Sequence, residues 1–221
     1  SDGSLSSSQS IAVAVGNVNE APTISTSSFS IAEGSTAIGT IAASDPDASS
    51  TLSYAISGTD SSKFSINASS GAVAFLSPPN FESPTDNGLD NTYNFTVTVS
   101  DGSLSSSQSI AVAVGNVNEA PSFSIASAQS YVENSGVTIS VAANDPDASS
   151  SLTYTLSGTD ASKFTISSSG VLSFSSAPDY EAPSDSGSNN IFNLSVAVSD
   201  GVNSSSVALV ISLTDDTSDN F

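Results

Sequence analysis

The sequence predicts an all-β protein made of tandem antiparallel Greek-key β-sandwiches, each of roughly 100 residues. Two observations support this prediction. Apolar and polar residues alternate along the run from Tyr93 to Ser100, which is the period-two pattern of a strand with one buried face. The same motifs then return about 100 residues later, and a period of that length is the size of a small independent domain.

A long repeat sets the expected domain boundaries. Residues 1–22 and 100–121 have the same sequence, SDGSLSSSQSIAVAVGNVNEAP, at an offset of 121 − 22 = 99 residues. The similarity continues beyond this block, since LSYAISGTDSSKFSI at 52–66 returns as LTYTLSGTDASKFTI at 152–166. We therefore expect residues 1–22 to be the C-terminal fragment of a preceding repeat, 23–121 to form repeat 1 and 122–221 to form repeat 2.

Alternating apolar residues identify the expected core strands. They are Tyr93, Phe95, Val97 and Val99, then Ile110, Val112 and Val114, and in repeat 2 Phe192, Leu194, Val196 and Val198. Clusters of Gly, Pro, Asn, Asp and Ser separate these runs, as expected of turns between strands. No segment has a convincing helical period, so the prediction is β structure throughout.

The charge balance excludes several functions. The chain has 22 Asp and Glu residues against 2 Lys and Arg residues, a net charge of −20. Nucleic acid and anionic membrane surfaces both need clustered cations and are therefore not expected as partners. The chain has no Cys and no His, which excludes disulfides and thiolate or imidazole metal sites. No apolar run reaches 18 residues, so no membrane-spanning helix is predicted.

The acidic and amide residues recur at matching places in both repeats, at strand ends and in the linkers. They are Glu33 and Glu133, Asp45 and Asp47 with Asp145 and Asp147, Glu82 and Glu181, Asp101 and Asp200, and Asn17, Asn19 and Glu20 with Asn116, Asn118 and Glu119. Calcium takes six to eight oxygen ligands from carboxylates, amides and carbonyls. Gathering these carboxylates without a cation would raise their pKa values and cost stability. The repeated set therefore indicates calcium binding.

Two other features allow more than one interpretation. The loop from Asp86 to Asn91 could hold a further ion or could simply turn the chain. Its counterpart in repeat 2 has Asn189 in place of Asp90, which favours the turn. Lys63 and Lys163 occupy one repeat position, and we interpret both as solvated.

Two segments of the sequence carry motifs that resemble cadherin repeats, and in particular the bacterial cadherin-like repeats of large surface and secreted proteins. VTVSDGSLSSSQSIAVAVGNVNEAP resembles the end of such a repeat, with an Asp-Gly turn, a last strand and an Asn-rich linker before Ala-Pro. LSYAISGTDSSKFSINASSGAV resembles the middle of one. The resemblance covers essentially all of both repeats and implies a cadherin-like or immunoglobulin-like sandwich, with calcium bound between successive domains.

The resemblance also implies which residues bind calcium. For the junction inside the chain they are Glu33, Glu82, Asn116, Asn118, Glu119, Asp145, Asp147 and Asp200. An N-terminal partial site would use Asn17, Asn19, Glu20, Asp45, Asp47 and Asp101, and a C-terminal one Glu133, Asp179, Glu181 and Asp215. Asn116 stands where the animal linker has an acid. A neutral ligand there predicts weaker affinity, in the class of extracellular modules with a Kd of roughly 10⁻⁴–10⁻³ M.

Three functions are compatible with this sequence. The first is a calcium-rigidified spacer or adhesion segment of a larger extracellular surface protein, whose partners are the adjacent repeats of the same chain. The second is a calcium-dependent polysaccharide-binding module, and the third is homophilic cell adhesion to another cell-surface protein. Carboxylate pairs can hydrolyse glycosides, but the acids here are better explained as calcium ligands and no Trp offers a sugar platform. We therefore predict that the chain is not an enzyme.

Overall fold

The computed structural model describes residues 3–4, 6–47, 50–134, 136–147 and 151–218. The chain divides into two compact units, Ser1–Asn116 and Val117–Phe221. Within the described residues, no helix is both long enough and apolar enough to cross a lipid bilayer. The predicted domain limits at residues 22 and 121 stay predictions. The two units are separated by where contacts within the chain are dense, and this does not show at which residue one sequence repeat ends and the next begins.

Unit 1 contains nine strands among its described residues and one short 3-10 helix at Ser61–Lys63. The strands are β1 (Thr23–Ile24), β2 (Ser28–Ala32), β3 (Ala37–Thr40), β4 (Ala43–Ser44), β5 (Ser53–Ser57), β6 (Phe64–Ile66), β7 (Ala72–Phe75), β8 (Thr92–Ser100) and β9 (Ser105–Gly115).

Unit 2 repeats this order among its described residues, with a 3-10 helix at Ala161–Lys163. The strands are β10 (Ser122–Phe123), β11 (Ala128–Val132), β12 (Thr138–Ser140), β13 (Ala143–Asn144), β14 (Thr153–Ser157), β15 (Phe164–Ile166), β16 (Val171–Phe174), β17 (Ile191–Ser199) and β18 (Ser204–Thr214). The fold class predicted from the sequence is confirmed.

Each unit has a four-stranded and a three-stranded sheet. In unit 1 the orders are β2-β9-β8-β5 and β3-β7-β6, and in unit 2 they are β11-β18-β17-β14 and β12-β16-β15. Most pairs are antiparallel, as the sequence predicted. The exceptions are the parallel pairs β2–β9, with Ala32 opposite Gly115, and β11–β18, with Val132 opposite Thr214. The expectation of a purely antiparallel sandwich was therefore wrong for these two pairs.

The core of each unit lies between its sheets. The alternation predicted for β8 is confirmed, because Val97 and Val99 are fully buried while Asn94 is exposed. Aromatic rings fill the centre: the Phe64 ring lies 4.8 Å from Phe95, and the Phe164 ring lies 5.7 Å from Phe192 at an edge-to-face angle of 88°. Burying each such side chain contributes about 1.5–3 kcal/mol, so each unit has a core of its own.

Residues 6–22 contain no strand. The sequence predicts that this fragment carries the last strand of a preceding repeat, which is frayed or recruited by a neighbouring molecule when its own sandwich is missing. Ile11, Val13 and Val15 are 82%, 81% and 93% exposed. Ser1, Asp2 and Leu5 of the predicted fragment lie outside the described residues.

Gly158 and Gly201 provide a matched test of packing in the turns that follow β14 and β17. Both have a left-handed backbone, with φ of +104° and +98°. A Cβ on Gly158 would lie 2.9 Å from the Cα of Leu194, whereas one on Gly201 would meet nothing within 4 Å. We expect Gly201→Ala to cost about 1 kcal/mol from backbone strain alone. Gly158→Ala should cost about 1–3 kcal/mol more through overpacking. Urea denaturation of the two variants measures this difference, and equal losses would contradict the packing argument.

Candidate metal sites

The N-terminal end of unit 1 gathers all six residues predicted for the N-terminal partial site. The antiparallel pair β1–β4 sets Thr23 opposite Ser44, which carries the preceding linker alongside the loop that follows β4. Asp47 accepts two hydrogen bonds from the linker, from Asn17 Nδ2 to its Oδ1 and from the N–H of Glu20 to its Oδ2 at 2.8 Å. The N–H of Asp47 donates to Asp45 Oδ1 at 2.8 Å, and Asn19 Nδ2 donates to Asp101 Oδ2 at 2.8 Å. The linker amides and the loop aspartates therefore form one cluster.

Unit 2 builds the same cluster from its own linker. Asn118 Nδ2 donates to Asp200 Oδ2 at 2.8 Å, and the N–H of Glu119 donates to Asp147 Oδ2 at 2.8 Å. The N–H of Asp147 in turn donates to Asp145 Oδ1 at 2.9 Å. Because the two units form this cluster independently, the arrangement is a property of the repeat and its linker.

These hydrogen bonds keep the aspartates ionised. The side-chain amide of Asn17 lowers the pKa of Asp47, with help from the backbone of Glu20. In unit 2 the amide of Asn118 lowers the pKa of Asp200, followed by the N–H of Val202. The pKa of Asp101 is lowered first by the N–H of Leu104 and Ser103. Ionised carboxylates are the form that ligates a hard cation.

The opposite end of each unit carries a glutamate pair, and the parallel strands explain why. Because β2 and β9 are parallel, their C-terminal ends lie at the same end of the sheet. Glu33, the residue after β2, therefore lies beside the end of β9, and its N–H donates to Gly115 O at 3.0 Å. Glu33 Oε2 accepts the N–H of Phe81 at 2.8 Å, and carboxylate oxygens of Glu33 and Glu82 lie within 4.8 Å of each other. Asn116 follows directly after this strand end.

The C-terminal end of unit 2 gathers three carboxylates. Oxygens of Glu133, Glu181 and Asp215 all lie within 4.8 Å of one another. Glu133 is 1% exposed, and its carboxylate accepts the N–H groups of Asp216 and Tyr180. Asp179, predicted as a ligand here, is not in this group of described carboxylates; its Oδ1 accepts the N–H of Ala182 at 2.9 Å and closes a local turn.

Comparison with known proteins identifies the repeats. Residues 27–117 match the family model of the cadherin domain, and residues 118–212 match that of the bacterial Ig domain. The chain carries tandem cadherin-like repeats. These matched domain families are non-enzymatic, adhesion-type families. A search of curated protein sequences gave no match.

Solved structures share the fold of the cadherin-like repeats. Human protocadherin-24 EC1-2 is 23% identical with a TM-score of 0.62, and the match covers 89% of this chain and 100% of that one. Drosophila N-cadherin EC1-4 is 21% identical with a TM-score of 0.59, covering 89% and 50%. Protocadherin gamma B2 extracellular cadherin domains 3-6 are 26% identical with a TM-score of 0.54, covering 89% and 52%.

The sequence analysis missed one buried aspartate in each cadherin-like repeat, which joins two elements of that repeat. Asp60 and Asp160 are 5% and 2% exposed. Asp60 accepts the N–H groups of Asn87 at 2.9 Å and Asn94 at 2.8 Å, which joins the 86–91 loop to β8. Their recurrence in the Gly-Thr-Asp turn of both repeats was the available signal, but the composition of a turn does not reveal that its carboxylate is buried.

The 86–91 loop is closed by its own backbone. Asp86 is 2% exposed, and its two oxygens accept the N–H groups of Asp90 and Asn91, each at 3.1 Å. Asp185 makes the equivalent bonds to Asn189 and Asn190. These bonds support the interpretation of the loop as a turn, because the carboxylate oxygens that an ion would use already accept backbone N–H groups.

Asp86 predicts an acid-sensitive term in the stability of unit 1. Burial raises its pKa, but the N–H groups of Asp90 and Asn91 together lower it, and the net pKa lies below the ordinary 3.8. As the pH falls, the unfolded chain therefore binds the proton first. The stabilisation is fully present above about pH 4 and is lost as the pH falls through the lowered pKa.

The measurement is the free energy of unfolding by urea between pH 6 and pH 2. Asp86→Asn should cost about 2 kcal/mol at neutral pH, because an amide cannot accept at both positions, and should flatten the acid loss. Asp90→Asn, at an exposed side chain of the same loop, is the matched control and should cost less. A variant pair with equal losses would show that the buried carboxylate does not organise the loop.

Proposed function

We propose that the chain is a calcium-rigidified spacer or adhesion segment of a larger, secreted surface protein. The observation that carries the proposal is the repeated placement of donors within each unit. Aspartates and linker asparagines cluster at the N-terminal end, and a glutamate pair lies at the C-terminal end. A tandem chain with such ends would offer both halves of an oxygen-ligand site at every junction.

Two buried oxygens support the choice of a cation. Among the described residues, Oδ2 of Asp45 and Oδ2 of Asp145 are buried and accept no hydrogen bond. A buried carboxylate oxygen without a partner costs about 1–3 kcal/mol or more, and native structures rarely leave one unsatisfied. Calcium ligation would satisfy this oxygen in both repeats, whereas Oδ1 of each residue already accepts the N–H of the aspartate two residues on.

The proposal assigns eight residues to the calcium cluster at the internal junction. They are Glu33, Glu82, Asn116, Asn118, Glu119, Asp145, Asp147 and Asp200. The two outer sets would bind calcium more weakly in this chain, since each holds one half of the ligands. Neutral Asn116 supplies an oxygen without charge, so the proposed affinity is in the range of about 10⁻⁴–10⁻³ M typical of extracellular modules.

Rigidification follows from where the ligands lie. Each unit buries its own core, so calcium need not hold the sandwiches together. The linker groups are carboxylates and amides. In the absence of a cation the carboxylates repel one another and the amides are hydrated, so neither holds the two repeats in one orientation. A hundredfold excess of calcium over its Kd would favour the bound arrangement by about 2.7 kcal/mol. That is enough to shift an orientation equilibrium about a hundredfold but is small beside a domain stability of about 5–15 kcal/mol.

The spacer role is favoured over stacking-based sugar binding by the placement of aromatic rings. The Phe64 ring packs against those of Phe75 and Phe95 in unit 1. In unit 2 the rings of Phe164, Phe174 and Phe192 pack against one another. Tyr180, at 38% exposure, is the most exposed aromatic side chain recorded among the described residues. A platform for neutral sugars would need several such faces.

Calcium titration calorimetry tests the ligand assignment. Replacing Asp145 and Asp147 together by Ala should remove the tightest binding event and leave the weaker outer events, because these residues supply carboxylates to the internal cluster. Asp90→Ala, which removes an exposed acid outside the proposed sets, should leave the titration unchanged. An unaltered titration for the double variant would overturn the assignment.

Small-angle scattering tests the mechanical part of the proposal. Calcium should narrow the distribution of inter-repeat distances, and chelator should broaden it while far-UV dichroism keeps its β signature. The Asp145→Ala, Asp147→Ala variant in calcium should scatter like the chelated wild-type chain. If chelator unfolds both units, the metal contributes to the cores and not to their relative freedom, and the spacer mechanism is wrong.

A further inference from the structure

The two lysines of the chain lie in equivalent clefts. The cleft in unit 1 has a volume of about 660 Å³ and includes Lys63, Leu76, Pro78 and Pro79 in its lining. The counterpart in unit 2, of about 380 Å³, includes Lys163 and Phe174. Volumes of about 300–1,000 Å³ are typical of small-ligand sites. Each cleft therefore combines a ligand-sized space with the one cationic side chain of its unit.

Neither lysine is neutralised by the fold. Within the described part of the chain, the ammonium groups of Lys63 and Lys163 have no hydrogen bond or ion pair, despite the 22 acidic residues. Lys63 is half-buried at the side of its cleft. An unpaired cation in a chain of net charge −20 is a specific point of attraction for an anionic group.

The clefts differ in one respect that decides which of them fits an anion. Asp179 lines the unit 2 cleft together with Lys163, so a bound anion there would face a carboxylate as well as the ammonium group. At the matching position the unit 1 cleft has Asn80, and none of the described residues that line it is acidic. The unit 1 cleft is also the larger of the two, so charge and volume both favour it.

The rest of the lining indicates what kind of anion fits. Polar residues line the same cleft as Leu76 and the two prolines, namely Ser62, Ser77, Asn80, Ser83 and Thr85. Such a mixture suits a ligand that carries many hydroxyl groups on an apolar ring. Strand addition by a peptide needs backbone N–H donors, and Pro78 and Pro79 have none. Phe75 and Tyr93 are only 5% and 1% exposed, so neutral sugars have no aromatic face on which to stack.

We propose that the unit 1 cleft binds a carboxylated sugar unit of an acidic polysaccharide, with the Lys63 ammonium paired to the sugar carboxylate. This site is separate from the calcium ligands of the proposed function, and none of its lining residues belongs to that set. Long-range repulsion by the net negative charge is screened beyond about 8 Å at physiological ionic strength. A direct ammonium–carboxylate contact acts within that distance, so binding is compatible with the charge of the chain.

The test is a titration of the ¹⁵N-labelled full chain with tetragalacturonate in millimolar calcium at about 0.15 M ionic strength. Amide shifts should change at residues 62–63 and at the non-proline residues of 76–85. The fully methyl-esterified tetrasaccharide has the same rings without the carboxylates and should bind at least tenfold more weakly. Tetraglutamate tests the other source of carboxylates and should also bind at least tenfold more weakly. Tighter binding of the peptide would overturn the assignment to a sugar.

Two lysine variants form the matched pair. Lys63→Gln should weaken tetragalacturonate binding about tenfold or more, the effect of losing one charge-assisted hydrogen bond, while Lys163→Gln should leave it unchanged. Both side chains are at least partly exposed, and an unchanged amide spectrum of each free variant checks the fold. Shifts confined to the calcium-ligand residues, equal binding of Lys63→Gln, or no binding at millimolar ligand would each overturn the proposal. The calcium titration of Lys63→Gln stays as in wild type, so failure here leaves the calcium proposal standing.

Discussion

The pairing of carboxylates with backbone N–H groups is the interaction on which the rest of this structure depends. The chain has 22 acidic side chains and two cationic ones, so salt bridges cannot compensate most of the acids. Instead, the buried side chains of Asp60 and Asp86 accept backbone N–H groups, and Glu133 does so at a strand end. Hydrogen bonds to a charged group contribute about 1.5–3 kcal/mol each, which is large beside a domain stability of about 5–15 kcal/mol.

The number of carboxylate oxygens that accept backbone N–H groups divides the acidic residues into two classes. Carboxylates such as Asp86 have both oxygens engaged by the backbone and serve the fold. Others have one oxygen engaged and the other directed elsewhere, as in Asp45 and Asp145, whose Oδ1 accepts an N–H while Oδ2 is buried without a hydrogen bond. The first class is saturated without a cation. The second is held in place by the backbone and still has a ligand oxygen to offer, which is the preorganisation that a binding site needs.

Which parts could be predicted from the sequence depends on the distance over which each signal acts. The burial of Val97 and Val99 follows from local alternation, and the sequence predicted it. The parallel pairing of β2 with β9 joins residues about 80 positions apart, and no local pattern encodes such a pair. That pairing nevertheless brings Glu33 to the end of β9, and the equivalent pairing of β11 with β18 brings Glu133 beside Asp215. The sequence therefore offered candidate donors but did not predict the sheet geometry that brings Glu33 and Glu133 to these strand ends.

Burial of polar groups was equally hidden from the sequence. Asp60, in a Gly-Thr-Asp turn, has the composition of an exposed turn residue, yet it is buried and joins two elements. The converse holds for Lys63. A lysine after a short turn suggests a solvated side chain, and only the cleft formed by the 76–85 segment, distant in sequence, shows that it is half-buried beside an apolar wall.

The duplicated 22-residue block separates local propensity from tertiary context. Residues 105–115 form β9, which pairs with β8 on one side and with β2 on the other. Its Ile110 and Val112 are fully buried. Residues 6–16 have the same sequence, form no strand, and leave Ile11 and Val13 82% and 81% exposed. Since the sequence is constant, the difference comes from the presence of partner strands alone. Strand formation here is a consequence of cross-strand pairing and burial rather than of intrinsic preference. The same reasoning applies to the candidate metal sites, whose proposed ligands follow separate strands or lie in linkers and come together only where strand pairing brings those strand ends together.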